Sequence, residues 1–254
     1  MLLLLFMKKD DSLRAQHGNT RNYNIYTMCT LLILRKDKEI IAVMNRDDEK
    51  IRSEEGIREF DGGVLSPVDI RSGGTWVGVN KDNVSGFLLN RYDKCEIKTK
   101  KSRGEIVLNV LAQGGFANCA SFATKMDLSS YMPFILVLLS NDKIIKFDWN
   151  GQELLKNEFE LKEYYVLTSS SIEEEVVKKW RYDRFDEWYK GDREFVKGLP
   201  KFNLLQVKGH EDFSVMVERE KVFTISITKV SFVERKVDIQ YLPRAEIEKL
   251  IVND

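Results

Sequence analysis

Two kinds of apolar pattern alternate along the chain. CTLLILR and EIIAVMN, starting at Cys29, are partly β-branched runs joined by the charged turn Lys36-Asp37-Lys38, and they read as a β-hairpin. After a polar, glycine-containing stretch to Ser72, GGTWVGVN and SGFLLNR flank Lys81-Asp82-Asn83 as a second hairpin. Ile106, Val107, Val110 and Leu111 then share one face of a short helix ending at Gly114, and another short helix is predicted over 117–126. PFILVLLS, KIIKFDWN and EYYVLTS return to strand-like runs, punctuated by Ser140-Asn141-Asp142 and Asn150-Gly151.

Ser171 with Glu174 forms a capping box, and the segment behind it places Val176, Trp180, Phe185 and Trp188 near one face of the longest predicted helix. The runs SVMVE, VFTISITKVSF and KVDIQYL complete an antiparallel sheet, with a terminal helix from Arg244. Strand pairs, helices and further strands in that order imply an α+β fold. Residues 10–27 show neither period and are too polar to bury, so 1–27 reads as a disordered extension, and 28–254 as one domain. In MLLLLFMKK the apolar run is short and its charges follow it, unlike a secretory signal.

Composition narrows the chemistry. Of 254 residues, 43% are hydrophobic and 31% charged, the balance of a globular protein large enough for a full core. Forty basic residues cancel forty acidic ones, so no global field favours nucleic acid, and the expected partner is a small molecule or hydrophobic metabolite. No run is long enough to span a bilayer, and a cytoplasmic location is expected. Cys29, Cys95 and Cys119 lack paired spacing, which argues against a disulfide framework or a structural zinc site. With only His17 and His210, a multi-histidine metal centre is excluded and a histidine base would have to be His210. The glycines at 73, 74 and 78 lack phosphate-loop spacing and read as a tight turn.

If Asp37 is the centre of the first hairpin, Cys29 lies across from Asn45 and beside Arg46 and Asp47. A guanidinium there favours thiolate and lowers the thiol pKa. Were the chain to begin at Met28, removal of that residue would leave Cys29 with a free α-amine, whose ordinary pKa of about 7.7 to 8.0 suits a base without any histidine. Taken singly, Cys29 is as well explained as a small buried hydrophobe, and NRDD as a polar turn with a surface ion pair.

Five motifs in order, MCT, NRDD (45–48), GGTWVGVN (73–80), LLNR ending at Arg91, and SRGEIV (102–107), resemble the NRDE-motif family, also called the transport and Golgi organisation protein 2 family. The resemblance covers 28–111 closely and continues more loosely to about residue 235. It implies a four-layer αββα sandwich with mainly antiparallel sheets, similar to N-terminal-nucleophile hydrolases of the choloylglycine hydrolase and penicillin V acylase type. By that likeness Cys29 is the nucleophile, Arg46 tunes its thiolate, Asp47 or Asp48 holds the α-amine, and Asn90 supplies part of an oxyanion hole. Ser169 stands where those hydrolases carry an asparagine, and a second active-site arginine corresponds to Arg219, for which an exposed strand charge is the competing reading. Asn45, Trp76 and Arg91 are assigned to substrate binding, and no cofactor or metal is implied.

The residues ahead of Met28 depart from the family. Either the start is set too far upstream, or the extension is removed, or this copy does not catalyse; the first is preferred. The leading expectation is a cysteine amidohydrolase acting on a linear amide of a small or acylated metabolite. Its alternatives are a non-catalytic protein that binds or traffics a lipid or haem-like metabolite, and an acyltransferase.

Overall fold

A computed structural model describes residues 28–93, 95, 101–141, 143–234 and 236–252; the extension at 1–27 lies outside them. The first hairpin is β1 (Met28–Lys36) and β2 (Glu39–Glu49). β3 (Glu54–Phe60), β4 (Val64–Asp69), β5 (Val77–Val79) and β6 (Ser85–Asn90) follow, then α1 (Gly104–Leu111) and α2 (Phe116–Lys125). The chain continues through β7 (Phe134–Ser140), β8 (Lys143–Trp149), β9 (Leu154–Glu160), β10 (Tyr164–Ser170) and α3 (Glu174–Lys190). Last come the two-residue strands β11 (Phe195–Val196) and β12 (Leu199–Pro200), a 3-10 turn over 201–204, β13 (Val222–Val233), β14 (Lys236–Pro243) and α4 (Arg244–Val252).

One sheet has the order β10-β1-β2-β13-β14 and the other runs β3 to β9 in sequence, omitting the helices. Pairing within both is antiparallel. Alternation decides what each face buries. Leu31, Ile33, Ala42 and Met44 meet Val77, Phe87, Leu89 and Val137 between the sheets. The other face of the seven-stranded sheet packs Leu88, Leu136 and Leu138 on Ile106, Val107 and Val110 of α1 and Ala120 of α2. The other face of the five-stranded sheet packs Leu32 and Val166 on Phe185 of α3, and Ile41, Val43 and Ile227 on Ile247 of α4. The result is the αββα sandwich that the resemblance implied.

Three local expectations are corrected. β3, β4 and β9 were not legible as strands. β3 and β9 are the edges of the seven-stranded sheet, and their charged faces, EEGIREF and LLKNEFE, suit an edge exposed to water but hide the period of two. SVMVE forms no strand: Val215, Met216 and Val217 are buried in three different clusters, and its backbone bonds run to Leu205 and Thr224. The N-cap of α3 is Glu173, in the left-handed region, without a side-chain cap bond, so Ser171 does not close a capping box. Its buried face is Val177, Arg181 and Phe185, leaving Val176 exposed.

Candidate active site

The first hairpin closes through a two-residue turn, with Asp37 at φ 55, and not through three residues centred on Asp37. Two-residue turns match the twist of the strands they join. The register therefore shifts by one from the sequence expectation, and Cys29 pairs with Arg46 instead of Asn45. On its other side Cys29 pairs with Ser169 of β10, and Arg46 pairs with Ser226 of β13. Ser169, Cys29, Arg46 and Ser226 thus form one row across four strands, on the face turned toward the second sheet.

That row meets a cavity of about 700 Å³ whose lining includes Cys29, Arg46, Asp48, Trp76, Asn90 and Arg103. Arg46 is the hub of its β2 side. It bonds Asp48 at 2.9 Å and Asp69 at 2.5 Å, pairs with Glu54, and lies 4.1 Å over the Trp76 ring. Burial works against its charge, but Glu54, Asp48 and Asp69 outweigh this and hold the guanidinium above its usual pKa. Arg52 adds a 2.7 Å bond to Asp69, and the Tyr241 hydroxyl donates to Glu54 at 2.7 Å.

The thiol itself is not activated in this form of the chain, which corrects the expectation of a lowered pKa. Cys29 is 6% exposed, and its pKa is pushed up to about 12, first by burial and then by the negative charge of Asp47. The Asp47 backbone N–H and Arg46 act in the opposite sense and do not compensate. Arg46 is weak in this role because three carboxylates already share its charge.

Asp47 and Asp48 face opposite sides of β2. Asp48 belongs to the Arg46 cluster, whereas the Asp47 carboxylate accepts the Thr224 hydroxyl at 2.6 Å through Oδ1, and its Oδ2 is buried with no partner. Burial raises Asp47 to about 6, although Arg181, the Thr224 hydroxyl and Arg219 pull it down. Met28 is buried on the same side, its sulfur 3.7 Å from Nη2 of Arg181 and 3.6 Å from Nη2 of Arg219. Arg219 also donates to the Asp212 carbonyl at 2.7 Å, so it is a partly buried neighbour of the start of β1 and not an exposed strand charge. Arg181, which sequence reasoning did not single out, is wholly buried and donates to the hydroxyls of Thr30 and Thr168 at 2.5 and 2.8 Å. Thr168 in turn donates to the Cys29 carbonyl at 3.1 Å.

Asn90, the last residue of β6, lines the cavity together with Cys29 and Trp76. Ser169 sits beside Cys29 in the ladder, its hydroxyl buried and unpartnered. Two assignments to substrate binding are corrected. Asn45 points to the opposite face of β2, where its amide donates to the Asn203 carbonyl at 2.8 Å and accepts from the Asn203 amide at 2.8 Å. Arg91 does not line the cavity and is held by Asp93 at 2.6 Å and by Asp148. Glu54, Asp69 and Arg52 were missed because they lie in the segment whose strand pattern was obscured; Arg103 was visible within SRGE but read as a helix start. Among the described residues, no group of three or more His, Cys, Asp or Glu side chains is placed to hold a metal ion, and no helix is long and apolar enough to cross a membrane.

The sequence profile of the family described as Transport and Golgi organisation 2 matches residues 28–232. No curated protein sequence matches the chain. Among solved structures, the Caenorhabditis elegans ortholog of N-acylethanolamine-hydrolyzing acid amidase superposes with a TM-score of 0.55 at 13% identity, over 81% of this chain and 92% of that one. A mutant of conjugated bile acid hydrolase from Clostridium perfringens gives a TM-score of 0.47 at 14% identity, over 85% of this chain and 92% of that one. At 13% identity the likeness to the nematode protein is one of fold.

Proposed function

The chain belongs to the Transport and Golgi organisation 2 family, with an N-terminal-nucleophile-hydrolase-like fold, and from that premise we propose that it is a cysteine amidohydrolase whose nucleophile, Cys29, becomes competent when the chain begins at that residue. The observation that carries this reading is the buried, unpartnered Oδ2 of Asp47. A carboxylate oxygen out of water with no donor is costly. The charge of Asp47 acts on Cys29, and an α-ammonium on Cys29 would supply the donor that this oxygen lacks.

With that amine in place the reaction runs in two stages, acylation and hydrolysis. The neutral α-amine takes the thiol proton, and the thiolate attacks the amide carbonyl carbon. Asn90 and nearby backbone N–H groups stabilise the oxyanion. As the C–N bond breaks, the leaving amine receives the proton from the α-ammonium, and an acyl-thioester remains. Water, deprotonated by the α-amine, then releases the acid and restores the thiol. The similar fold of the nematode ortholog of N-acylethanolamine-hydrolyzing acid amidase supports a linear amide as substrate class.

One observation favours a second reading, a binding protein. With Met28 attached, Cys29 has no α-amine and burial pushes its thiol up to about 12, so the thiol is not a nucleophile and the remaining role for the cavity is binding. Intact mass of the protein from its native source, together with iodoacetamide labelling followed by peptide mass spectrometry, separates the two. A mass beginning at Cys29, with labelling of Cys29 at pH 8 and an acyl adduct that Cys29→Ala abolishes, is the expected result. Retention of Met28 in the native protein, or no adduct on a chain that begins at Cys29, overturns the amidohydrolase.

A further inference from the structure

The two large sheets end in four edge strands, β10 and β14 in one, β3 and β9 in the other. Three of these edges carry an obstruction to a further strand. On β10 the Val166 carbonyl accepts the Tyr182 hydroxyl of α3 at 3.0 Å. On β14 the Val237 N–H donates to the Asn83 side chain at 3.0 Å. On β3 the register with β4 slips between Glu55 and Arg58, and such an irregularity bends an edge away from a straight partner. β9 is regular: all seven residues, Leu154–Glu160, pair with β8 without a slip.

Alternation divides the side chains of β9 between two faces. Lys156 and Glu158 lie on the helix side, where they line a groove of about 430 Å³ with Phe116, Ala117 and Ala120 of α2. They lie 3.8 Å apart along the same strand, and both are largely in water. Leu155, Asn157 and Phe159 face the other way. The Phe159 ring packs 5.1 Å from that of Tyr165, whereas Leu155 is left 48% exposed.

This strand is complementary to itself. Laid antiparallel on a second copy with Asn157 opposite Asn157, it sets Lys156 across from Glu158 and Glu158 across from Lys156. On the opposite face each Leu155 then meets a Phe159, which takes the exposed leucine out of water. Moving the centre to Lys156 or to Glu158 puts two like charges on the symmetry axis, so the charge pattern selects one register. β3 treated in the same way about Ile57 would oppose Glu55 with Glu59, a repulsive pair.

We propose that β9 is a homodimer interface, through which two copies join their seven-stranded sheets into one antiparallel sheet about a two-fold axis at Asn157. Such an interface is isologous, each pair occurring twice. β9 lies three strands beyond β6, and none of its residues lines the cavity at Cys29, so the interface is independent of what that cavity does. A strand edge with its flanking groove is a small interface, and the association is expected to be weak and concentration-dependent.

Sedimentation velocity of the full chain from low to high micromolar concentration is the test. A species of twice the chain mass is expected to grow in with concentration. Lys156→Glu and Glu158→Lys each turn both charge pairs repulsive, and each should weaken the dimer about tenfold or more. The double swap, Lys156→Glu with Glu158→Lys, restores opposite signs and should restore the dimer. An equimolar mixture of the two single variants should associate where neither does alone, an outcome that a folding defect cannot produce. A chain that stays monomeric throughout, a dimer that both single variants form as well as the unmutated chain, or a mixture that fails to associate overturns the proposal. Should one single variant not fold, the other and the double swap still decide.

Discussion

Gly74 and Gly104 meet backbone to backbone beside the cavity. A Cβ on Gly74 would stand 2.6 Å from the Gly104 carbonyl carbon, and one on Gly104 would stand 2.9 Å from the Thr75 nitrogen. The Thr75 N–H donates to the Gly104 carbonyl at 3.1 Å, so the loop before β5 and the first residue of α1 are laid directly on each other. This contact sets Arg103, the residue before α1, against the cavity that Trp76 lines from the other element.

Helix propensity and packing give opposite signs for Gly104→Ala. Propensity alone favours alanine by up to about 1 kcal/mol in a helix. The obstructing atoms here are backbone, which cannot rotate away, and overpacking of this kind costs about 1–3 kcal/mol. Packing wins, and Gly104→Ala and Gly74→Ala are each expected to lower the urea midpoint. A midpoint at or above that of the unmutated protein for Gly104→Ala would show that the contact relaxes freely.

Asp47 makes stability depend on pH in an unusual direction. Its folded pKa of about 6 lies above the ordinary carboxylate value of 3.8 because of burial, so between these values the folded chain holds a proton that the unfolded chain has lost. Its contribution is full below about 3.8 and is lost as pH rises through about 6. In the chain that retains Met28, Asp47→Asn keeps an acceptor for Thr224 and removes the titration. The melting temperature of the unmutated chain should therefore fall relative to Asp47→Asn between pH 4 and pH 6; parallel curves would show that the carboxyl is not desolvated. In a chain that begins at Cys29, the α-ammonium should draw Asp47 down and flatten this difference.

Arg181 ties α3 to the start of β1. It donates to Thr30 and Thr168 of the central sheet and to the carbonyls of Ser214 and Phe213 in the covering segment. Arg181→Ala removes a wholly buried side chain and strands several acceptors. A cost of about 3 kcal/mol or more is expected from the void and the lost bonds together. Equilibrium denaturation checks the size, and a loss under about 1 kcal/mol would mean that water replaces the guanidinium without penalty.

The hairpins around Lys36-Asp37 and Lys81-Asp82-Asn83, the two short helices and most of the strands were legible in the sequence, because alternation and turn residues act over a few positions. The ordered motifs from MCT to SRGEIV also carried the family and its layered fold. The edge strands β3 and β9 escaped because water on their open side relaxes the demand for an apolar period. What only the tertiary structure decided was which of these groups meet. A turn one residue shorter put Arg46, not Asn45, across from Cys29 and sent Asn45 and Asp47 to the far face, since side chains alternate strictly along a strand. The pairing of Arg46 with Glu54 and Asp69, the Arg181 hub behind β1 and the bond from Arg103 to the Pro133 carbonyl join residues from different elements. Charge partners of that kind are chosen by the packing of two sheets, and no local pattern of residues encodes them.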